Sequence, residues 1–348
     1  MSKLPEDDLK HVLIHTRDLW EELRGQQLFI TGGTGFFGRW ILETFTYANE
    51  QLSLGASAVV LTRNPESFAF KAPYLFNRND LQLLRGDVRD FNFPDGDFSH
   101  VIHAGMTSSA PVEPLEMFDT IVQGTRRVLD FAATHHTRKF LFISSGAVYG
   151  KQPPELTHIP EDYHGAPDPL DPNSAYGEGK RAAELFCTLM ATQHGFEAKI
   201  ARCFAFVGPH LPLDAHFAIG NFIRDALQGE SICVGGDGTP YRSYLYTADL
   251  AIWLWTILLQ GVAGRAYNVG DSAQMTIREV AEATSAALGF FNGETVPVRL
   301  AKDPIPGQVV SRYIPNVDRA RTELGLEARI DFGASLKKTS LWYKNNDD

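Results

Sequence analysis

Short apolar segments alternate with longer amphipathic segments along most of the chain up to Arg202. The apolar runs predict β-strands at 28–31, 58–62, 81–85, 100–103, 140–144 and 198–202. Segments in which apolar positions recur at helical spacing predict helices at about 7–23, 36–47, 114–134 and 174–194. Strands separated by helices in this way are typical of βαβ units, so the pattern predicts an α/β fold with a parallel sheet.

The regular alternation weakens after Arg202, where segments rich in turn residues begin. Gly and Pro are frequent in 208–212 and 235–240, and these residues favour turns over regular elements. We therefore expect an N-terminal helix in 1–25, a first domain in 26–203 and a second, smaller domain that occupies most of 204–348. Some later segments, at about 230–270, are expected to return to the first domain.

The overall charge and the cysteine pattern exclude several classes of protein. The 32 Lys and Arg and 42 Asp and Glu residues give a formal net charge of −10. Nonspecific nucleic-acid binding rests on cationic contacts with phosphates, so we do not expect a nucleic-acid partner. The three cysteines are odd in number, no two have CxxC spacing, and no HExxH segment occurs. We therefore expect neither a disulfide framework nor a metal site, and a reducing, cytoplasmic location.

The hydropathy of the chain does not indicate insertion into a membrane. The first 25 residues are charged and amphipathic, unlike a secretory signal with its apolar central region. The longest apolar run, 251–259, is too short to span a bilayer. It predicts a buried helix instead.

Three glycines follow the first predicted strand, where the next helix begins. Gly32, Gly35 and Gly38 form a GxxGxxG segment, which allows a tight turn and a close approach of backbone N–H groups to a pyrophosphate. The N-terminus of the following helix adds partial positive charge. This context favours a dinucleotide site over a glycine-rich turn without a ligand. Further contacts to the same cofactor are assigned in this loop and after the fourth strand, to Thr34, Phe36, Phe37, Ala104 and Gly105.

The residues after the second and third predicted strands bear on the form of the cofactor. Domains that bind NAD place an acidic residue after the second strand, whereas this chain has Thr62-Arg63-Asn64. Arg63 suits a 2′-phosphate because its guanidinium matches phosphate geometry, so we expect NAD or NADP, with a preference for NADP. A solvated loop arginine is the alternative. Asp87 and Val88 are expected to meet the adenine, although an aspartate that only shapes a turn fits the pattern equally well.

Ser145, Tyr176 and Lys180 form the candidate catalytic set. Ser145 ends the fifth predicted strand, and parallel sheets hold ligands at the carboxyl ends of their strands. Tyr176 and Lys180 are spaced i, i+4 in a predicted helix, so they share one face and are also expected to contact the cofactor. A neighbouring ammonium and an oxidised nicotinamide favour the phenolate of tyrosine. Tyr176 can then accept the proton of a substrate hydroxyl while hydride leaves the same carbon, with Ser145 hydrogen-bonded to that oxygen.

With these residues in place, the chain resembles the extended short-chain dehydrogenase/reductase family, in its NAD-dependent epimerase/dehydratase branch. The resemblance extends over nearly the whole chain after residue 26. It includes the glycine loop, Asp87-Val88, Gly124-Thr125, Ser145, Tyr176 and Lys180. It implies a Rossmann-type, doubly wound parallel sheet with a smaller C-terminal α/β substrate domain. It also implies a homodimer formed by packing of the two long helices, here 114–134 and 174–194.

Motifs toward the C-terminus favour the nucleotide-sugar branch of this family. The segment 236–244 resembles the family's substrate loop, whose arginine, here Arg242, meets the diphosphate. Asn221 resembles a second diphosphate contact, Arg312 resembles a further phosphate or ribose contact, and Ser108 is assigned to the substrate as well. Arginines can grip a diphosphate bidentately, although each of these arginines taken singly is as consistent with a surface salt bridge.

Four positions depart from the family pattern. Ile121 and Ala205 stand where asparagine is usual, and Ala205 removes a polar contact, so the identity of the sugar does not carry over. Gly146 and Ala147 stand where the 4,6-dehydratases and decarboxylases of the family place acidic or basic side chains. Because neither residue transfers protons, we expect hydride transfer at sugar C4, in a 4-epimerase or a 4-ketoreductase, rather than elimination of water.

Other functions are weighed against this expectation. An NADP-dependent reductase of small carbonyl compounds would also favour Arg63, but a neutral ketone needs no diphosphate clamp such as Arg242. A noncatalytic dinucleotide sensor that regulates a partner would not need Tyr176 or its neighbours. A nucleotide-sugar 4,6-dehydratase stays open if a carboxylate from elsewhere, such as Glu178 or Glu113, replaces the missing groups.

Overall fold

The computed structural model describes residues 3–105, 112–215 and 217–346, except for the side chains of 290–292. Up to Cys203 its elements follow the alternation that the hydropathy pattern predicts. They are, in chain order, α1 (Glu6–Thr16), β1 (Gln27–Thr31), α2 (Phe36–Gln51), β2 (Ser57–Thr62), α3 (Pro65–Lys71), α4 (Pro73–Phe76), β3 (Leu81–Arg85), β4 (His100–His103), α5 (Pro114–Thr134), β5 (Lys139–Ser145), α6 (Ala175–His194) and β6 (Glu197–Cys203). The predicted strands in this part of the chain are confirmed.

The N-terminal helix differs from its prediction, because the α-helix ends at Thr16. A 3₁₀ helix, Arg17–Leu23, continues it. The Thr16 hydroxyl donates to the carbonyl of Val12 and accepts from the indole of Trp20. Trp20 and Leu23, spaced by the three residues of a 3₁₀ turn, are both fully buried. The tighter winding therefore brings two large apolar side chains onto the same side.

The elements after Cys203 are shorter and less regular. They are β7 (Phe206–Val207), α7 (Ala218–Leu227), β8 (Ile232–Val234), β9 (Tyr241–Arg242), β10 (Leu245–Tyr246), α8 (Thr247–Gln260), β11 (Ala266–Val269), β12 (Met275–Thr276), α9 (Ile277–Asn292), β13 (Val298–Leu300), β14 (Arg312–Tyr313), α10 (Asp318–Leu324) and α11 (Phe332–Lys344). Most of these strands are only two or three residues long, which is too short for hydropathy to predict.

Within the described ranges, seven parallel strands form one large sheet in the order β11-β6-β5-β4-β1-β2-β3. The chain moves outward from β1 through β2 and β3, then returns to the other side of β1 with β4. This reversal leaves a crevice beyond the carboxyl ends of β1 and β4. Doubly wound sheets of the Rossmann type bind their ligands at such a crevice.

Alternate residues of the central strands are buried on opposite faces of this sheet. In β1, Phe29 packs in the core that includes Phe131 of α5 and Cys187 of α6. Its neighbours Leu28 and Ile30 pack in the core that includes Trp40 of α2 and most of α8. Two layers of helices therefore enclose the sheet.

The apolar run 251–259 lies in α8, which is buried from Thr247 to Leu259. It is a core helix, as its sequence predicts. Of the helices that the structure describes, none combines the length and the hydropathy needed to cross a membrane.

A third core lies among the later elements. It joins α7, α9 and α11 through Phe222, Val280 and Leu336. In the described part of the chain three small sheets accompany it: β13 with β8, β10 with β7, and one in the order β12-β9-β14. The strand β11 instead returns to the large sheet and pairs with β6.

The N-terminal segment is bonded to elements that lie far along the chain. The buried carboxylate of Asp8 accepts from the hydroxyl of Tyr246 at 2.6 Å and from the ammonium of Lys338 at 2.6 Å. The indole of Trp342 donates to the carbonyl of Lys3 at 2.9 Å. The first turns of the chain therefore tie β10 and α11 together.

Candidate active site

The glycine loop after β1 is closed by contacts that leave no room for side chains. Gly32 has φ +70°, and a Cβ atom there would lie 2.4 Å from the carbonyl carbon of Ala104. A Cβ atom at Gly38 would lie 2.1 Å from the carbonyl oxygen of Gly32. Both distances are below the 3.0 Å that Cβ atoms respect in proteins. Glycine at these positions therefore lets the end of β1, the start of α2 and the chain after β4 meet.

Thr31 and His103 fix the approach of β1 to β4. The Thr31 hydroxyl accepts from the backbone N–H of Gly105 at 3.0 Å and lies 2.7 Å from His103 Nδ1. His103 Nε2 lies 3.1 Å from the hydroxyl of Thr125 on α5. Burial, helped by the charge of Lys180, lowers the pKa of His103 to about 3, so this imidazole is neutral. The predicted cofactor residues Ala104 and Gly105 thus lie against the glycine loop.

The first turn of α2 fits the pyrophosphate of a dinucleotide. Gly35 caps this helix and brings no side chain to it, so the backbone N–H groups of the first turn are left for an anion. Thr34 and Gly35 are exposed, whereas the rings of Phe36 and Phe37 are half-buried and Phe37 packs on Phe206 at 5.0 Å. A cradle that a Cβ atom would fill, at the positive end of a helix, is a fit for phosphate oxygens.

The residues assigned to the adenosine end lie beyond β2 and β3. Arg63 is exposed at the end of β2. The carboxylate of Asp87 accepts two hydrogen bonds from the guanidinium of Arg89, at 2.8 and 3.1 Å, and one from its backbone N–H at 3.0 Å. These bonds, with a smaller contribution from the charge of Arg63, lower the pKa of Asp87. Val88 packs on α5, where a Cβ atom at Gly124 would lie 2.7 Å from it. Asp87 is therefore engaged in an ion pair, while the guanidinium of Arg63 faces solvent.

The three candidate catalytic residues lie on two adjacent elements, β5 and α6. Ser145 is the last residue of β5, and its hydroxyl accepts from the backbone N–H of Ala147 at 3.1 Å. The ammonium of Lys180 donates to the carbonyl of Ile143 at 2.5 Å and lies 5.7 Å from the centre of the Tyr176 ring. Tyr176 lies near enough to Ser145 for hydrogen bonding between them to act on the pKa of the tyrosine. The structure therefore brings Ser145, Tyr176 and Lys180 together.

Burial shifts both ionisable groups of this set toward their neutral forms. It raises the pKa of Tyr176, although hydrogen bonding with Ser145 acts in the opposite direction. It lowers the pKa of Lys180 to about 7. Burial also raises the pKa of the neighbouring Cys203 thiol to about 12, so that this side chain adds no charge at neutral pH. A positive charge brought to this site would favour the Tyr176 phenolate.

A buried polar network behind the candidate catalytic residues joins α6 to β5 and β6. The carboxylate of Glu184, one turn after Lys180, accepts from the hydroxyl of Ser144 at 2.5 Å and from two nitrogens of Arg202, the closer at 2.7 Å. Arg202 also donates to the hydroxyl of Tyr149, which donates to Asn268 at 2.8 Å. Burial opposes the charge of Arg202, but its bonds to Glu184 outweigh this effect and raise the pKa of Arg202. Sequence motifs did not indicate this network.

The predicted substrate arginines lie on adjacent strands of one small sheet. Arg242 in β9 is opposite Tyr313 in β14, and Arg312 is opposite Tyr241. Residues opposite each other share a face and consecutive residues alternate, so Arg242 and Tyr313 share one face and Arg312 shares the other with Tyr241. In agreement, the Arg312 guanidinium lies 4.3 Å from the Tyr241 ring centre and donates to Gln274 at 2.7 Å. The two arginines therefore do not point to the same side.

The other two predicted substrate residues differ in what the structure says of them. Asn221 lies in α7, and the orientation of its amide that satisfies both atoms donates to the carbonyl of Leu213 at 3.0 Å. Its side chain is therefore bonded to the loop before α7. Ser108 lies outside the described residues.

Two of the departures from the family pattern have structural counterparts. Ile121 is fully buried, and a Cβ atom at Gly179 of α6 would lie 3.2 Å from it, so it contributes to the apolar contact between α5 and α6. Gly146 faces the hydroxyl of Tyr313 and the ring of Phe204, which would lie 2.7 and 2.8 Å from a Cβ atom there. Tyr313 was not among the predicted site residues, because a tyrosine next to Arg312 carries no motif of its own.

Comparison with known proteins assigns this architecture to a family. The model of the NAD dependent epimerase/dehydratase family matches residues 28–270. A dTDP-glucose 4,6-dehydratase from Streptomyces niveus is 27% identical over 330 residues, which are 92% of this chain and 93% of that protein. UDP-glucuronic acid decarboxylase 3 from Arabidopsis thaliana is 28% identical over 314 residues, which are 89% of this chain and 86% of that protein.

A solved structure with a similar fold is that of UDP-glucuronic acid 4-epimerase from Bacillus cereus in complex with NAD. It superposes with a TM-score of 0.75 at 20% identity, covering 93% of this chain and 100% of that chain. At this level of identity the similarity shows the shared fold. The dehydratase, the decarboxylase and the 4-epimerase are named for three different reactions, so their similarity to this chain does not by itself select one of these reactions.

Proposed function

Because the chain belongs to the NAD dependent epimerase/dehydratase family, we propose that it is an NAD(P)-dependent enzyme that transfers hydride at C4 of a nucleotide-diphosphate sugar. The observation that carries this proposal is the pairing of Ser145, Tyr176 and Lys180 beside a dinucleotide cradle, with Gly146 and Ala147 following the serine. We propose the boundaries expected from the sequence, a cofactor domain over 26–203 and a substrate domain over most of 204–348, as its functional division.

The loop from Gly32 to Gly38, with Ala104 and Gly105 beside it, would hold the pyrophosphate of the cofactor. When bound, an oxidised nicotinamide supplies a hydride acceptor and a positive charge. That charge acts against the burial that keeps Tyr176 protonated. Tyr176 then accepts the proton of the C4 hydroxyl as hydride leaves C4, and Ser145 holds the same oxygen by a hydrogen bond. Lys180, fixed by the carbonyl of Ile143, orients the site and favours the phenolate.

The exposed guanidinium of Arg63 supports a preference for NADP over NAD in this proposal. Within the described part of the chain Arg63 forms no ion pair, and no carboxylate stands in Thr62-Arg63-Asn64 to accept from a ribose hydroxyl. A 2′-phosphate would meet this charge. Against this preference, the Bacillus cereus 4-epimerase with the similar fold was solved with NAD.

Elimination of water is the second candidate, and the similarity to a dTDP-glucose 4,6-dehydratase favours it. That reaction needs a base for the C5 proton and an acid for the leaving hydroxyl, each of which contributes roughly 10²–10⁴-fold to the rate. Glu178 is two residues from Tyr176 on the helix, hence on a different face, and its carboxylate lies 3.7 Å from Arg181. Glu113 is exposed at the start of α5. Neither position supports the use of Glu178 or Glu113 in place of the acid and base that residues 146 and 147 do not supply.

Calorimetric titration with UDP, dTDP, CDP and GDP tests the substrate class. We expect one nucleotide diphosphate to bind tightly, and we expect Arg242→Ala to weaken that binding by at least about tenfold, or ~1.4 kcal/mol, because a charged hydrogen bond to the diphosphate is lost. Arg278→Ala is the matched control, since its side chain is exposed and paired with Glu282. Binding of none of the four nucleotides would favour the small-carbonyl reductase or the dinucleotide sensor.

We also propose that the active enzyme is a homodimer that packs through α5 and α6. These helices pack on each other, yet Leu115, Leu185 and Leu189 on them are more than half exposed. A groove of about 1020 Å³ runs along the same helices and includes Leu115 and Leu185. Covering such an apolar surface favours association. Light scattering should give a dimer mass for the native chain and for the control Ile14→Glu, and a monomer mass for Leu185→Glu; a native monomer would refute the proposal.

A further inference from the structure

The hydroxyl of Tyr313 occupies the space beside the catalytic serine. A Cβ atom on Gly146, the residue after Ser145, would lie 2.7 Å from this hydroxyl oxygen. Any side chain at position 146 must therefore displace Tyr313. Glycine at position 146 leaves free the space that the Tyr313 hydroxyl occupies.

Tyr313 is held in this place from two directions. Its ring packs on the ring of Phe204, with the centres 4.7 Å apart and the planes 36° from parallel. Its backbone lies in β14, where it is in register with Arg242 of β9. The strand pair that carries the proposed diphosphate contact thus also places a phenol next to the catalytic serine.

When Tyr176 is ionised, only one hydrogen-bond arrangement of the Ser145 hydroxyl satisfies all of its neighbours. A hydroxyl has two acceptor lone pairs and one proton. The backbone N–H of Ala147 uses one lone pair of Ser145 at 3.1 Å. Tyr313 and Tyr176 both lie near enough to Ser145 for hydrogen bonding with the serine to act on their pKa values. If Tyr313 donates to the second lone pair, the proton of Ser145 is left for Tyr176.

Tyr313 is suited to the role of donor. Burial raises the pKa of Tyr313, and it outweighs hydrogen bonding with Ser145, which acts in the opposite direction. The charge of a Tyr176 phenolate raises this pKa further, so the Tyr313 hydroxyl keeps its proton. The other ionisable groups that act on this pair of tyrosines are Lys180, Cys203 and Arg242. The carboxylate of Glu184 is already bonded to Ser144 and Arg202.

We propose that Tyr313 is a positioning residue that donates to Ser145 and thereby directs the proton of Ser145 to the oxygen of Tyr176. This role rests on the proposed function, because it matters only if Tyr176 is the proton acceptor. It makes the Tyr176 phenolate easier to form in the resting site. Tyr313 in this role also connects the sheet that carries Arg242 to the hydroxyls of Ser145 and Tyr176 beside the reacting carbon.

Difference titration of tyrosine ultraviolet absorbance tests the role without any sugar. The protein is loaded with NAD⁺, and the curve of Tyr176→Phe is subtracted from that of the native chain, which isolates the ionisation of Tyr176. The same pair is then compared in the Tyr313→Phe background. We expect Tyr313→Phe to raise the apparent pKa of Tyr176 by about half a unit to one unit, the effect of one lost hydrogen bond.

Two further variants keep the test independent of folding defects. Tyr267→Phe is the matched control, because it also removes a buried hydroxyl, one that is bonded to Glu323 at 2.9 Å; it should leave the Tyr176 ionisation unchanged. Gly146→Ala displaces the Tyr313 hydroxyl and should raise the same pKa, with no further rise in the double variant with Tyr313→Phe. An unchanged or lower pKa of Tyr176 in Tyr313→Phe and Gly146→Ala would overturn the proposal.

The proposed function is judged separately, with UDP-glucose, dTDP-glucose and UDP-N-acetylglucosamine as probes of cofactor reduction. If a probe reduces the bound cofactor, Tyr313→Phe should shift the rising limb of the pH–rate profile upward by the same amount. If none does, the proposed function fails while the titration still decides the role of Tyr313. Normal hydride transfer with an unshifted profile in Tyr313→Phe would refute the positioning role alone.

Discussion

Replacing Gly32 with alanine should separate the two strand ends that form the proposed dinucleotide cradle. The added Cβ atom would meet the carbonyl carbon of Ala104 at 2.4 Å. The backbone fixes the position of the Cβ atom, and the Ala104 carbon is itself a backbone atom, so neither can turn away. Gly32 also has φ +70°, which an alanine adopts at a cost. Gly25→Ala is the matched control: Gly25 has φ +66°, and no other heavy atom of the described chain lies within 4 Å of its Cβ position.

Both variants lose stability through the strain of a positive φ, but only Gly32→Ala also loses it through a steric clash. A left-handed conformation costs an L-residue roughly 1–2 kcal/mol, and both alanines incur it. Forcing extra volume into a packed site costs roughly a further 1–3 kcal/mol, which applies to Gly32→Ala alone. We therefore expect a loss in the free energy of unfolding of about 2–5 kcal/mol for Gly32→Ala and about 1–2 kcal/mol for Gly25→Ala.

Urea unfolding followed by tryptophan fluorescence measures these losses, and titration with NADH and NADPH measures cofactor affinity. The dissociation constant should rise by at least about tenfold in Gly32→Ala, or ~1.4 kcal/mol, and stay near the native value in Gly25→Ala. Equal destabilisation of the two variants, or native cofactor affinity in Gly32→Ala, would refute the cradle as described.

Three further outcomes are expected. Tyr176→Phe should abolish turnover while NADH still binds, and turnover near the native level would remove this residue from the mechanism. Arg63→Ala should weaken NADPH more than NADH; tighter binding of NADH by the native chain, unchanged in the variant, would contradict the preference for NADP. The pKa of Lys180 is about 7 in the folded protein against 10.5 ordinarily, so the unfolded chain binds more protons in this interval and native stability should rise with pH across it. Urea unfolding of Lys180→Met should show a weaker rise, and an identical rise would refute the lowered pKa of Lys180.

The predictable part of the fold is the part in which the chain forms long elements of its own. In strands such as β5 and helices such as α5, apolar positions recur in the sequence at the spacing of the element. The family match over 28–270 confirms the resemblance inferred from the glycine loop and from the spacing of the candidate catalytic residues. The two-residue strands β9 and β14 exist because they pair with each other. Their register depends on tertiary contacts, which local hydropathy does not report.

The same limit applies to the candidate site. The sequence shows that Gly146 lacks a side chain, but the Tyr313 hydroxyl that occupies the space beside it belongs to a distant strand. The network of Glu184 and Arg202 joins a helix to a strand, and neither residue has a spacing that marks it. Arg242 and Arg312 were grouped as substrate contacts, and only the register of β9 with β14 separates their faces.

The measurement that tests the central claim most directly is the mass of the product formed from nucleotide sugars by the cofactor-loaded enzyme. UDP-glucose, dTDP-glucose and UDP-N-acetylglucosamine are incubated with the protein and with its Tyr176→Phe variant, and the products are analysed by mass spectrometry and chromatography. Hydride transfer at C4 predicts an epimer of unchanged mass, or a 4-keto sugar lighter by two hydrogens, and neither with Tyr176→Phe. Sustained formation of a 4-keto-6-deoxy product, lighter by one water, would contradict the account.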